Sequence, residues 1–432
     1  MKLRFVSSFL LAGLTAGFCF PPAGFAQQAQ VAGSSAPSKL EYVVMLSRHG
    51  VRPPLTAPGA IDKYSAAPWP QWEVQPGYLT PHGYELMKIF GGWDRSRFSG
   101  SGLLSASGCA DASGVDIVAD SDERTRETGK ALAEGMYLGC APEVHAKAEG
   151  APDPLFLGGK ATPDDAELAR QAILGRIGND PGNVTRAYSL QLAALDGVLA
   201  GCGKVKSPNP NRTSIFDIPV TPTAPGMTSG FRGPLPAAST LVENLLLEVT
   251  DGMKDPGWGC LNGNLLRQLM QIDTVAWDIG FRTPAEARIY GSNLLAHIQA
   301  SIAQHVAGRP VAGAVGSPSD RLLILIGHDI NIVTVSGILG MDWIVDGRFD
   351  DTPPGGALLF ELWNTGGRRT VRVEYTAQTL EQMHNSQPLT AANPPVTVPV
   401  FVPGCSGRDM ACSWEGFAAA VSGAIDPKYV QP

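Results

Sequence analysis

Residues 41–54 read EYVVMLSRHGVRPP. The run from Glu41 to Ser47 is short, mostly apolar and rich in β-formers, so it predicts a buried strand. It stops abruptly at Arg48-His49-Gly50, where charge and a glycine force a loop. The same junction recurs twice. VDIVA at 115–119 passes into the polar outlet DSDERTRE at 120–127, and RLLILI at 321–326 passes into Gly327-His328-Asp329. Helical patterns lie between these strands. One opens at Thr80-Pro81 and carries Tyr84, Met87, Ile89 and Phe90; another carries Ala131, Leu132 and Met136 onward to Cys140; a third is long, from Ala285 to Gly308. ALLFELW at 357–363 and TVRVEY at 370–375 predict two later strands joined by a turn at Thr365-Gly366-Gly367. From Pro163 to Ile279 nearly every periodic segment is helical, apart from a proline-rich passage between Ser207 and Pro236. Strand, loop and helix at both ends with a helical middle predict an α/β domain interrupted by a mainly α-helical one. The site of such a fold lies at the carboxyl ends of its strands.

Composition sets the limits of function. The chain has 432 residues, 33 Lys plus Arg against 40 Asp plus Glu, and a net charge of −7, which argues against a nucleic-acid-binding surface. With 44% apolar and 17% charged residues it can bury a large core, and wholesale disorder is excluded. Lys2 and Arg4, an apolar run from Phe9 to Phe20, and Gly24 and Ala26 before Gln27 form the pattern of a cleavable secretory signal over residues 1–26. Cys19 follows Phe18 rather than a small residue, so no lipid anchor is expected. No later stretch has the apolar length of a membrane span, and no membrane partner is expected. Export predicts oxidised cysteines. Six remain, allowing 15 pairings. Chain layout favours Cys109–Cys140 around one strand-helix unit and Cys405–Cys412 across a short loop, leaving Cys202–Cys260 by elimination. A zinc site is disfavoured, since the cysteines have no Cys-x-x-Cys pair and no nearby histidine at ligand spacing.

The three strand outlets carry the chemistry. Arg48, His49 and Arg52 lie within five residues around a glycine. Guanidinium forks match phosphate oxygens, and a pocket of Arg48, Arg52 and Arg124 would present three positive charges, which suits a doubly charged anion. An imidazole among them can attack phosphorus to give a phosphohistidine. Asp329, beside His328, can protonate the leaving alkoxide. Arginines can supply the electrostatic stabilisation, so neither metal nor cofactor is expected. Each cluster alone has an ordinary structural reading; the three together carry the argument. His82, His145, His297, His305 and His384 share no spacing and are expected to be structural or at the surface.

SRHGVRPP at 47–54 resembles the RHGxRxP signature of histidine acid phosphatases, and GHDIN at 327–331 resembles that family's later His-Asp motif. Similarity to the bacterial branch, which contains phytases and glucose-1-phosphatases, extends to APWPQWEV at 67–74, GYLTPHGYEL at 77–86, ADSDERTRETG at 119–129, DPLF at 153–156, GMKDPGWG at 252–259 and DTPPGGALLFE at 351–361. It therefore runs from about Leu40 to Trp414. The resemblance implies an α/β fold with a mixed central sheet flanked by helices, the histidine phosphatase (phosphoglycerate-mutase-like) fold. Its catalytic domain would be split over 39–154 and 280–428, with an inserted α-helical cap at 155–279. It implies His49 as nucleophile, Asp329 as proton donor, and Arg48, Arg52, Arg124 and His328 as phosphate ligands. The Cys109–Cys140 and Cys405–Cys412 pairings match ones seen in the branch, and a Gram-negative periplasm, or secretion, follows as the destination. Glu243 matches a substrate-pocket glutamate. Two departures bear on the substrate. Ile330 stands where the family usually has a hydroxyl residue, and Leu55-Thr56-Ala57 lacks a lysine that phytases use to grip a highly phosphorylated ring. The expected substrate is a small phosphomonoester, phytate or a sugar phosphate such as glucose 1-phosphate. A phosphomutase-like activity is disfavoured by the export signal. A non-catalytic binding protein for phosphate esters would need no nucleophile and acid pair, so turnover separates it.

Overall fold

A computed structural model describes residues 37–57, 59–223 and 231–431. The signal segment 1–26 lies outside them. Residues 37–432 group as one compact unit. The central sheet contains β1 (Ser38–Arg48), β2 (Val115–Ala119), β3 (Val144–Ala146), β4 (Leu322–Gly327), β5 (Ala357–Thr365), β6 (Arg368–Ala377), β7 (Val396–Val400) and β8 (Ala411–Ser413). Its order is β7-β6-β5-β1-β4-β2-β3, with β8 also pairing β6. The strands β1, β4, β2 and β3 run parallel, whereas β5 to β8 pair antiparallel, so the sheet is mixed.

Alternation along β1 explains why it lies at the centre. Tyr42, Val44 and Leu46 enter one core; Val43 and Met45 enter the core on the opposite face. Leu40 breaks the parity and joins Val43 and Met45, because a bulge between Leu40 and Tyr42 inserts Glu41 and flips the alternation. Helices α1 (Pro81–Gly100) and α2 (Glu123–Met136) cover the Val43 face through Phe90, Phe98, Leu132 and Met136. Helices α7 (Pro284–Ala307) and α8 (Asp329–Leu339) cover the other through Leu295, Ile298, Ile332 and Val335. Helix α1 starts where its sequence predicts: Thr80 caps it by accepting from Gly83 N, and Pro81 fills a first-turn position that needs no N–H donor. Helix α2 ends at Met136, short of Cys140, as Gly139 turns into the left-handed region.

Between them, α3 (Pro163–Arg176), α4 (Ser189–Leu199), α5 (Pro234–Thr250) and α6 (Gly263–Gly280) pool their leucines and isoleucines in a third core, which Val51 and Leu86 also enter. Helix α5 begins inside the proline-rich passage, since Pro234 and Pro236 both occupy its first turn. The edge strands β3, β7 and β8 escaped sequence reading because they are short and partly exposed, and β7 contains Pro399, which an edge tolerates. The disulfides are Cys109–Cys140, Cys202–Cys260 and Cys405–Cys412. Among the described residues no helix is long and apolar enough to cross a membrane.

Candidate active site

Register brings the three outlets together. Arg48 pairs with Gly327 at the ends of β1 and β4, and Ala119 pairs with Ile326 at the ends of β2 and β4, all three strands being parallel. The segments beginning at His49, Asp120 and His328 therefore leave the same end of the sheet, at the carboxyl termini of three neighbouring strands. His49 is tied on both sides by backbone: its N–H donates to Gly327 O at 3.0 Å, and its carbonyl accepts from Gly355 N at 3.0 Å. Gly50 makes the turn possible, since a Cβ there would stand 2.9 Å from both Leu79 Cδ1 and Met87 Cγ.

The His49 side chain is 1% exposed, and its Nδ1 lies 2.8 Å from Gly50 O. A carbonyl only accepts, so Nδ1 carries the proton and Nε2 keeps its lone pair. Burial holds the imidazole well below its usual pKa, and Arg124, Arg52, Arg48 and His328 add to that. The ring is thus neutral in an arginine cage, the form a nucleophile needs.

Arg48 and Arg52 are 3% and 4% exposed. Arg48 donates through Nη1 to Thr352 O at 2.7 Å, and its Nη2 lies 2.7 Å from Glu243 Oε1 and 2.8 Å from Asp329 Oδ2. Arg52 Nη2 reaches the same Glu243 oxygen at 3.0 Å. Arg124 Nη1 donates to Gly77 O at 3.3 Å, and its Nη2 lies 2.5 Å from Asp122 Oδ2. Gly77 has φ +84°, and a Cβ there would press on Leu55 at 2.9 Å. The three charges that sequence alone leaves bare are therefore already paired with carboxylates. These pairs hold the guanidiniums in place, and an incoming anion competes with them. The Nε of Arg48, Arg52 and Arg124 are nevertheless buried with no partner among the described residues. Unspent buried donors on cations favour an anionic ligand.

His328 stands edge-on to His49, ring centres 5.5 Å apart. Its Nε2 lies 2.7 Å from Asp120 Oδ2 and its Nδ1 lies 3.3 Å from Arg124 Nη2. Asp120 is thus a site residue that sequence reasoning missed. Its signal was position: it is the first residue after β2, as His49 and His328 are the first after β1 and β4. Thr128 was missed too; its hydroxyl accepts from Gly50 N at 2.8 Å and anchors the turn to α2. Asp329 opens α8. Burial pushes its carboxyl up, but Arg48, Arg52 and His328 outweigh that and hold it below the ordinary range. Ile330 contributes its backbone, donating N–H to Asp329 Oδ1 at 2.8 Å. Glu243 comes from α5, and its Oε1 bridges the two N-terminal arginines. Thr56 lies on the wall of an adjoining cavity. Ligand atoms of Asp120, Asp122 and His328 come within 4.8 Å of one another, the one group among the described residues with metal-like spacing. Arg124 on Asp122 and the His328–Asp120 bond already engage them.

Comparison with known proteins places the chain in a family. The family described as "Histidine phosphatase superfamily (branch 2)" matches residues 39–169. Phytase AppA of Escherichia coli K12 is 34% identical over 414 residues, 93% of this chain and 95% of that protein. A glucose-1-phosphatase of Salmonella typhimurium is 27% identical over 377 residues, 85% of this chain and 88% of that protein. The solved structure of Hafnia alvei phytase in complex with tartrate superposes with a TM-score of 0.82 at 33% identity, covering 91% of this chain and 99% of that one. Matched along nearly its whole length, with the RHG and His-Asp segments meeting at the carboxyl ends of adjacent strands, the chain belongs to the histidine phosphatase superfamily, branch 2.

Proposed function

We propose that the protein is an exported acid phosphatase that hydrolyses small phosphomonoesters, phytate or sugar phosphates, through a phosphohistidine on His49. The observation that carries this reading is the His49 Nδ1 contact to Gly50 O, which leaves Nε2 unprotonated beside three arginines. Arg48, Arg52, Arg124 and His328 hold the phosphoryl oxygens and spread the charge that develops on them. Nε2 attacks phosphorus, the P–O ester bond breaks, and Asp329 gives its proton to the departing oxygen. Water then attacks the phosphohistidine. Its proton goes to the Asp329 carboxylate, and phosphate leaves with the lone pair restored to Nε2. The helices within 155–279, which supply Glu243, act as the cap. Three disulfides support an oxidising destination, and with the signal-like residues 1–26 they point to the periplasm or the exterior.

Rapid quenching with a ³²P-labelled ester tests the mechanism. Wild-type protein should yield an acid-labile, base-stable phosphoprotein whose label maps to the peptide containing His49. His49→Ala should yield none and should hydrolyse no ester while keeping its fold. Label on another residue would refute the assignment.

A further inference from the structure

Beyond Arg52 the chain lines a second cavity of about 240 Å³, with Pro53, Thr56, Trp69, Trp72, Asn244 and Glu248 in its wall. It adjoins the phosphate cage from two sides. The carbonyl of Pro53 accepts from Arg52 Nη1 at 3.2 Å, and Asn244 directly follows Glu243 on α5. Asn244 and Glu248 lie one turn apart on that helix, each 2% exposed. Three lining residues carry a buried polar atom with no partner among the described residues: Asn244 Nδ2, Glu248 Oε1 and Trp69 Nε1. The wall is firmly held. Glu248 Oε2 accepts from Gly257 N at 2.7 Å, Trp258 Nε1 donates to Pro68 O at 3.1 Å, and Trp258 meets Trp69 edge-on at 5.0 Å. The Cys202–Cys260 disulfide fastens the same loop.

The lining contains carboxyls and aromatic faces but no Lys or Arg among the described residues. The same holds for the cavity on the other side of Glu243, which Asp273, Trp277 and Glu286 line. A second phosphate placed in either would meet acidic groups and no cation. A ring bearing hydroxyls would instead meet indole faces, with two spare donors and a carboxyl oxygen buried in the wall behind them. Burial pushes Glu248 up to about 7, so in acid it is a neutral group that both donates and accepts.

We propose that this cavity is a leaving-group subsite for an uncharged polyhydroxyl ring, with Asn244, Glu248 and Trp69 as specificity-determining residues that favour sugar monophosphates over polyphosphorylated rings. The proposal rests on the phosphomonoesterase reading above. Its test is kcat/KM for glucose 1-phosphate, phytate and p-nitrophenyl phosphate, measured for the wild type, Asn244→Leu and Trp69→Phe, with melting curves to check folding. The wild type should favour glucose 1-phosphate over phytate. Asn244→Leu should lower the ratio of glucose 1-phosphate to aryl phosphate activity roughly 10- to 100-fold, because a buried site loses its hydroxyl partner. Trp69→Phe, which keeps a ring but loses the N–H, should lower it about 5-fold. A wild-type preference for phytate, or an unchanged ratio in the folded variants, overturns the proposal; the latter would mark a cavity that holds only water. Failure of the wild type to turn over any of the three esters would instead defeat the phosphatase reading beneath it.

Discussion

Arg48 and Asp329 form an ion pair, Nη2 to Oδ2 at 2.8 Å, in which the same guanidinium nitrogen also contacts Glu243. The pair holds Asp329 ionised, the wrong form for a proton donor. A bound dianion corrects this, since it draws on Arg48 and places negative charge near Asp329, and both effects raise the carboxyl's pKa. Binding of sulfate, which stays a dianion near pH 5, should therefore take up protons. Calorimetry in two buffers of different ionisation enthalpy measures that uptake, and Asp329→Asn should remove it. Uptake that persists in the variant would locate the proton on His49 instead.

The same residue separates substrates by leaving group. An alkoxide from a sugar or inositol is strongly basic and departs only as a proton arrives, whereas an activated phenolate departs without help. Asp329→Asn should cost about 10² to 10⁴ in kcat on alkyl phosphates and far less on p-nitrophenyl phosphate. Equal losses on the two classes would make Asp329 an orienting group, and Glu243 would be the next candidate for the acid.

Asp120 is a positioning residue, acting through His328. Asp120→Asn replaces the acceptor for His328 Nε2 with an amide, leaving the His49 turn and its Gly50 contact untouched. It should lower kcat/KM about 10- to 100-fold, the worth of one charge-assisted hydrogen bond. The phosphohistidine should still form on His49, more slowly. A variant whose label no longer maps to His49 would contradict this division of labour.

The contrast between Arg48 and Asp120 shows what the sequence made legible. Arg48, His49, Arg52, His328 and Asp329 stand at abrupt ends of strongly apolar strands, and both the strands and their alternation with helices could be read locally. Sheet register then juxtaposes them with no further information. Asp120 stands at an equivalent end, but its carboxylate turns back to His328, 208 residues away, and nothing local announces that partnership. The neutralisation of the arginine cage by Glu243, Asp122 and Asp329 was hidden for the same reason. Glu243 arrives from α5, whose placement depends on packing among helices that no periodicity specifies. The bulge that inserts Glu41 was likewise invisible, because an apolar run gives no sign of a slipped residue.

Metal removal gives a further expectation. The donors with metal-like spacing, Asp120, Asp122 and His328, are engaged by one another or by Arg124, and the guanidiniums stand where a divalent cation would otherwise stabilise phosphoryl charge. Prolonged dialysis against EDTA should leave kcat and KM unchanged on p-nitrophenyl phosphate. Loss of turnover, restored by a divalent metal, would require a different mechanism.

The last prediction concerns stability and lies outside the site. Asp94 on α1 is 0% exposed, and neither carboxyl oxygen has a partner among the described residues. Burial raises its pKa from 3.8 to about 7, while Arg97 pulls weakly the other way. Between those values the folded protein binds a proton that the unfolded chain has lost, so stability falls as pH rises. The contribution is fully present below about pH 4, is lost progressively up to about pH 7, and is constant above. It amounts to on the order of 4 kcal/mol at most. Asp94 should thus lower the melting temperature by several degrees between pH 5 and pH 7.5, opposed over the lower part of that range by His49 and His305, whose buried imidazoles have depressed pKa values and so disfavour the fold in acid. Asp94→Asn keeps the shape of the protonated carboxyl and cannot ionise, so it should flatten this slope and raise the melting temperature at pH 7.5 above that of the wild type. Buried Glu248 and Asp350, each also raised to about 7 by burial, should leave part of the slope in the variant. An unchanged slope in Asp94→Asn would show that Asp94 is ionised and solvated in the native protein.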